Sequence, residues 1–460
     1  MASGDIEEAL VGGSRLFASS VVSSLAGFLF WFVLARIVGV GIVGDTSAVI
    51  SAAGVSATLI SAGLNFAVIR EVAARGSDGF VVGLLVGCIV GLVAGLIAIP
   101  LTSLLGLDRL SFEAGVLAFF SVLGVTASSG LIGFSRFGQF FIVSSVGALI
   151  KLVVGIALGL LGYLILAPIL GMLAFPVTAT ILSLVFLRKY FDLESIRSSL
   201  DVLPSFLKLT YSNYANVLSN RLLTMLGVYL FAFLVREPVS TGSLYISLMV
   251  FLATMAIPGS ILNALLPIAT RKGSEPYLEA FRVGLGLTVP VLVLEGGFAG
   301  LVLWLIHPDL VYASDILRVL LISAPPLVLV QTVVTRFNQF LMTGRIALLG
   351  LVRLCVLLGL LPLLVSWYGL MGAGLAFLLA NVAGAFVALF FMPGYLRGFL
   401  VMWGVTVLGV FAPLLTPWLS PIVSGTVYTL VAVGLLHVFK AFRFGELVSS
   451  VRLVFSSIRL

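Results

Sequence analysis

Apolar runs of about 18 to 25 residues recur from one end of this sequence to the other, each long enough to cross a hydrocarbon layer about 30 Å thick as a helix. In lipid, every backbone N–H and C=O must be satisfied within the protein, so only helices and closed barrels span a membrane. A barrel is written in segments of roughly ten residues with alternating polarity. The runs here are continuous, so helices are predicted. Composition agrees: 61% of the 460 residues are hydrophobic and 9% are charged, against roughly a quarter charged in a soluble domain. The predicted fold class is an all-α polytopic membrane protein.

The spans read as 14–36, 46–69, 80–105, 112–135, 142–165, 167–187, 209–234, 243–266, 282–306, 316–337, 346–366, 369–391, 397–416 and 421–440. Fourteen spans put both ends on one side. That side carries sixteen basic residues, including Arg70, Arg188, Lys189, Arg271, Lys272 and Lys440, whereas the other carries Arg36, Arg109, Arg236 and Arg318. Basic loops stay in the cytoplasm, so both termini are expected there, in a prokaryotic cell membrane. The acidic, polar opening MASGDIEEALVGGSR shows no basic n-region, so no cleaved signal is expected. Cys88 and Cys355 sit in apolar helices and His307 and His437 stand alone, which suggests neither a disulfide framework, a metal site nor another cofactor. In a membrane protein the net charge of +7 is explained by this loop asymmetry, and no nucleic-acid partner is implied.

The one sizeable hydrophilic connection, RKYFDLESIRSSLDVLPSFLK at 188–208, follows six spans, so a second set of six would start in the same orientation. The halves match at offsets of 198 to 202: SRFGQFF at 135–141 with TRFNQFL at 335–341, LNFAVIR at 64–70 with LNALLPIATR at 262–271, ALIKLV at 148–153 with GLVRLC at 350–355, and Arg36 with Arg236. The expected organisation is an N-terminal lobe at 1–190, a linker at 191–208, a parallel C-terminal lobe at 209–393, and a helix pair with a basic tail at 394–460.

Five of the 25 basic residues fall in or near helices: Arg136, Lys151, Arg221, Arg336 and Arg353. Lys151 pairs with Arg353 in the repeat, and Arg136 with Arg336. Lys151 and Arg353 come out roughly 12 Å below the cytoplasmic surface. Two readings stand: the stems snorkel to the headgroups, or the charges line an aqueous cavity between the lobes. On the seventh span, YSNYANVLSNRLLTMLGVY at 211–229, Asn213, Asn216, Asn220 and Thr224 fall within an arc of about 80°, with Arg221 at its edge. Such a stripe faces protein or water, as a hydrogen-bonded seam between helices or as cavity lining. Gln331, Asn338 and Gln339 add polar groups to the tenth span. Glu295, in VPVLVLEGGFAG, is a carboxylate near the middle of a span. Its open roles are proton or cation coupling, pairing with a basic residue, or a neutral hydrogen-bonded carboxyl.

Several stretches resemble a known family. FWFVLARIVGVGIVGD opening at Phe30, with Gly44 before the second span and Gly63, Leu64 and Arg70 at its end, is similar to the opening of polysaccharide-biosynthesis flippases. These belong to the multidrug/oligosaccharidyl-lipid/polysaccharide exporter (MOP) superfamily. TGSLYISLMVFLATMAIPGSILNALLPIATR at 241–271, with Gly242, Tyr245 and Pro267, resembles that family's eighth helix, and FLMTGRIALL at 340–349 resembles its tenth-to-eleventh helix turn. The likeness covers most of 10–393.

The resemblance implies two six-helix lobes rocking between inward-open and outward-open states. It also implies a polyprenyl- or dolichyl-linked oligosaccharide as substrate, moved from the cytoplasmic to the external leaflet. Lys151, Arg221 and Arg353 suit an anionic lipid (pyro)phosphate, with Arg136, Arg336, Asn213, Asn216 and Asn220 as further candidate lining and Glu295 as a candidate coupling group. A monomer working among membrane lipids is expected. The rival in the superfamily is a cation-coupled multidrug exporter. Such exporters carry an acid in the first or seventh helix, and neither predicted span here has one. An enzyme acting on the same carrier would need placed carboxylates, a metal cluster or a large extramembrane domain, and no loop exceeds about 20 residues.

Overall fold

The computed structural model describes the backbone of residues 2–190, 202–272, 277–340 and 342–438, apart from 417 and 419. It describes their side chains outside 1–17, 20–21, 212–213, 215–221, 260, 263–272 and 421. Sixteen α-helices run through the described residues. The first eight are α1 (Ala2–Val38), α2 (Val40–Ser61), α3 (Leu64–Arg75), α4 (Ser77–Leu104), α5 (Ser111–Gly133), α6 (Phe137–Leu160), α7 (Leu166–Leu187) and α8 (Leu203–Val235). They are followed by α9 (Pro238–Lys272), α10 (Tyr277–Gly297), α11 (Ala299–Ile306), α12 (Ser314–Ile322), α13 (Ala324–Gln339), α14 (Thr343–Phe391), α15 (Leu396–Leu415) and α16 (Pro421–Val438).

Ten helical segments are long and apolar enough to cross a membrane, and Val22–Val38, Leu222–Val235 and Ile422–Val438 are shorter apolar stretches. The longest helix, α14, is two helices joined at a bend. Ten, three and one more from that bend give fourteen among the described residues, the number read from the sequence.

The breaks are local and chemical. The predicted second span, 46–69, is two helices, because Gly63 adopts a left-handed conformation (φ 85°) between α2 and α3. The tenth breaks at Ser323, and Pro325 and Pro326 in the first turn of α13 fit a helix start, where no donor is lost. In α14, Gly369 takes φ 55° and ψ −128°, a conformation open only to glycine. The chain doubles back there. A Cβ on Gly384 would lie 2.6 Å from Cγ of Arg353, so residues at similar distances on either side of the bend face each other and the halves run antiparallel. Replacing Gly369 by alanine is expected to cost about 1–3 kcal/mol, measurable as a lowered midpoint of thermal unfolding in detergent.

The helices form two compact units, residues 18–242 in one and 243–460 together with 1–17 in the other. In the first unit α4 packs on α5, α5 and α6 pack on α7, and α8 packs on α2 and α3. Three polar contacts hold α8 there. Ser205 Oγ donates to Oε1 of Glu71 at 2.9 Å, the Tyr214 hydroxyl to the carbonyl of Leu59 at 2.7 Å, and the Tyr229 hydroxyl to the carbonyl of Leu101 at 3.1 Å. Leu59 and Leu101 lie in the last turns of α2 and α4, where backbone carbonyls lack helical donors, so the tyrosines satisfy groups that lipid could not. Packing therefore groups the seventh span with the helices before it, whereas the repeat draws its boundary at the linker. In the second unit α10 packs on α15 and α16, and α12 and α13 pack on α14. Trp403 Nε1 donates to the carbonyl of Ile322 at 3.1 Å, capping the end of α12 in the same way.

Candidate functional site

Lys151 lies on α6, in the first unit. The helix begins at Phe137, five residues before the predicted span. At about 1.5 Å of rise per residue, Lys151 therefore sits about 21 Å along it. Its Nζ stands 5.0 Å from the centroid of the Phe30 ring on α1, and Gly27 leaves room beside it. Among the described residues, Lys151 has neither an ion pair nor a hydrogen bond. A face-on aromatic ring offsets about 0.5–2 kcal/mol of an ammonium's burial, whereas a charge at membrane depth costs at least about 2.5–3.5 kcal/mol. The half-buried ammonium is thus under-compensated and suited to an anion.

Arg353, its partner in the repeat, is treated differently by the fold. It lies in the second unit, on the first arm of α14, and is 2% exposed. Its Nη2 donates to Oδ1 of Asn381 on the opposite arm at 2.9 Å, and its stem lies against Gly384, where any Cβ would collide. In sequence the two cations are equivalent. In structure Lys151 turns to an aromatic face on a separate helix, and Arg353 closes a hairpin.

Arg136 and Arg336 make corresponding contacts within their own units. Arg136 N-caps α6, donating from Nη2 to the Tyr190 hydroxyl at 2.9 Å and from Nη1 to Oε1 of Gln139 at 3.2 Å. Arg336 sits in the last turn of α13 and reaches Sδ of Met392 at 2.6 Å, with the Phe340 ring 5.8 Å away. Each arginine thus bonds a residue 54 or 56 positions downstream, beyond the next two membrane-spanning stretches, which echoes the repeat. Locally the match ends: in SRFGQFF the helix breaks at Ser135 (φ 56°), whereas TRFNQFL stays helical through Gln339.

Glu295, on α10, accepts a hydrogen bond at Oε2 from the Thr254 hydroxyl on α9 at 2.7 Å, within the second unit. Gln339 accepts one from the Tyr277 hydroxyl at 2.6 Å. Asn213, Asn216, Asn220 and Arg221 lie on α8, but their side chains fall outside the described residues. Phe30, Asn381, Thr254 and Tyr190 are the partners that sequence reading missed. Asn381, a lone amide in LLANVAGA, carried a signal, whereas Phe30 is one of 34 phenylalanines and carried none.

These observations define a polytopic helical membrane protein with charged side chains set within its apolar helices. Its fold is shared with transporters of the MOP superfamily. A lipid II flippase, MurJ, in an inward closed conformation superimposes with a TM-score of 0.70 at 14% identity, covering 92% of this chain and 98% of that one. An inward-facing multidrug resistance transporter of the MATE family gives 0.58 at 18%, covering 84% and 95%. A superfamily transporter from Pyrococcus furiosus, described as having a binding pocket of reversed polarity, gives 0.55 at 16%, covering 85% and 98%. No family model matches the chain, and neither does any curated protein. At these identities the likeness is one of fold.

Proposed function

We propose that this protein is a flippase that moves a polyprenyl- or dolichyl-(pyro)phosphate-linked oligosaccharide from the cytoplasmic to the external leaflet by alternating access through a cationic cavity. The observation that carries the reading is Lys151, an ammonium deep in a span with an aromatic face beside it and no acid paired to it among the described residues. A lipid phosphate supplies the missing counter-charge through charge-assisted hydrogen bonds. The shared fold with a lipid II flippase supports a lipid-linked substrate. Arg221 and the stripe of Asn213, Asn216 and Asn220 belong to the same lining in this reading. Arg353 acts as a structural pin, and Arg136 and Arg336 anchor the ends of their repeats. The protein works as a monomer, with both termini cytoplasmic in a prokaryotic cell membrane, in lobes at 1–190 and 209–393 followed by the pair at 394–460. It is a transporter and not an enzyme.

Binding tests this directly. A polyprenyl diphosphate should raise the unfolding midpoint of the purified protein and a neutral polyprenol should not, and Lys151→Gln should remove the difference. Equal stabilisation by both lipids would reject a phosphate-reading site.

Glu295 is the coupling group in this proposal, its carboxyl held in place by Thr254. Glu295→Gln retains an oxygen for Thr254, so the protein should fold normally while translocation in proteoliposomes loses its response to an imposed proton gradient. An unchanged response would remove Glu295 from coupling.

A further inference from the structure

The end of the first unit that carries Arg136 holds a second group of cations, set apart from Lys151 and built around one ring. Tyr190, immediately after α7, stacks on Phe134 with centroids 4.1 Å apart and planes 16° apart, and Phe134 in turn meets Phe80 edge-on at 6.1 Å. The Arg136 guanidinium carbon lies 5.4 Å from the Tyr190 centroid and the Lys189 ammonium 4.9 Å from it, and Arg136 also donates to the Tyr190 hydroxyl. Arg188, the C-cap of α7, is exposed, as is Lys189. None of these three cations forms an ion pair among the described residues. The nearby carboxylate of Glu71 is engaged by Arg75 and Ser205.

We infer that Arg136 and Lys189, both set against the Tyr190 ring, form together with the adjacent exposed Arg188 a binding site for the phosphate of an anionic phospholipid headgroup. The inference goes beyond the transport reading, since it concerns a resident lipid and not the cargo. Two features favour a lipid over a soluble phosphate. The row Phe80, Phe134 and Tyr190 runs from buried to half-buried and ends on a tyrosine just beyond an apolar helix, a residue type enriched at membrane–water interfaces. The stacking and the Arg136 hydrogen bond also fix the ring that both cations approach, so less freedom is lost when a headgroup binds. Three positive charges at one interface attract an anionic lipid by adding their separate contributions.

The full-length protein in nanodiscs of phosphatidylcholine with a minority of phosphatidylglycerol tests this, with retained phosphatidylglycerol counted by native mass spectrometry. Arg188→Gln combined with Lys189→Gln leaves the Arg136–Tyr190 bond in place. It should weaken phosphatidylglycerol binding about 30-fold, and Lys189→Gln alone about 5-fold. Arg282→Gln, an exposed cation in the other unit, should change nothing. If the double variant does not fold, the single variant carries the same test. Equal retention by wild type and variant overturns the site. Displacement of the lipid by inorganic phosphate also overturns it, assigning the cations to a soluble anion instead.

Discussion

Lys151→Gln is expected to slow translocation of a lipid diphosphate by about 10- to 100-fold, the equivalent of about 1.5–3 kcal/mol for a hydrogen bond to a charged group. The fold should survive. Glutamine keeps much of the stem against Phe30 and Gly27, and removing an ammonium that has no acid beside it among the described residues relieves a desolvation cost. The melting midpoint should therefore stay level or rise while the rate falls, a pairing that a structural lysine would not give. Lys151→Arg should keep part of the rate, since the charge persists but a wider planar head replaces a point charge. Rates measured in proteoliposomes alongside thermal unfolding decide the matter, and a normal rate in Lys151→Gln would remove this residue from the site.

Asn381→Leu should destabilise the second unit by about 1.5–3 kcal/mol, because it takes an acceptor away from a guanidinium that is almost wholly removed from solvent. Arg353→Met should be milder. It removes the buried charge and leaves unpaired only a neutral amide, that of Asn381, while its unbranched stem still fits beside Gly384. The order of the two variants is the informative result. Were Arg353 the main substrate ligand, Arg353→Met would fold well and fail to transport, whereas a pin predicts folding and transport together.

The helical nature of the spans and their number were legible because hydrocarbon imposes a length and a composition on every crossing segment. The reversal at Gly369 falls where the spans 346–366 and 369–391 divide, whereas the break at Gly63, inside the span 46–69, was not legible, because an apolar run looks continuous to a hydropathy reading even where one glycine interrupts the helix. Side-chain surroundings were the least legible. Lys151 and Arg353 align within ALIKLV and GLVRLC, and the alignment alone gave them one role. What separates them is the residue opposite, Phe30 in one case and Asn381 in the other, and no spacing within a helix encodes that. The affiliation of α8 was hidden for the same reason: Tyr214 and Tyr229 bond carbonyls more than a hundred positions away.

The most direct test of the central claim is leaflet translocation in liposomes containing the full-length protein, with a lipid-linked oligosaccharide and a cationic dye compared side by side. The expected result is movement of the lipid-linked oligosaccharide across the bilayer, strongly reduced in Lys151→Gln, with no dye transport. Transport of the dye alone would contradict it and place the protein with the multidrug exporters that share its fold.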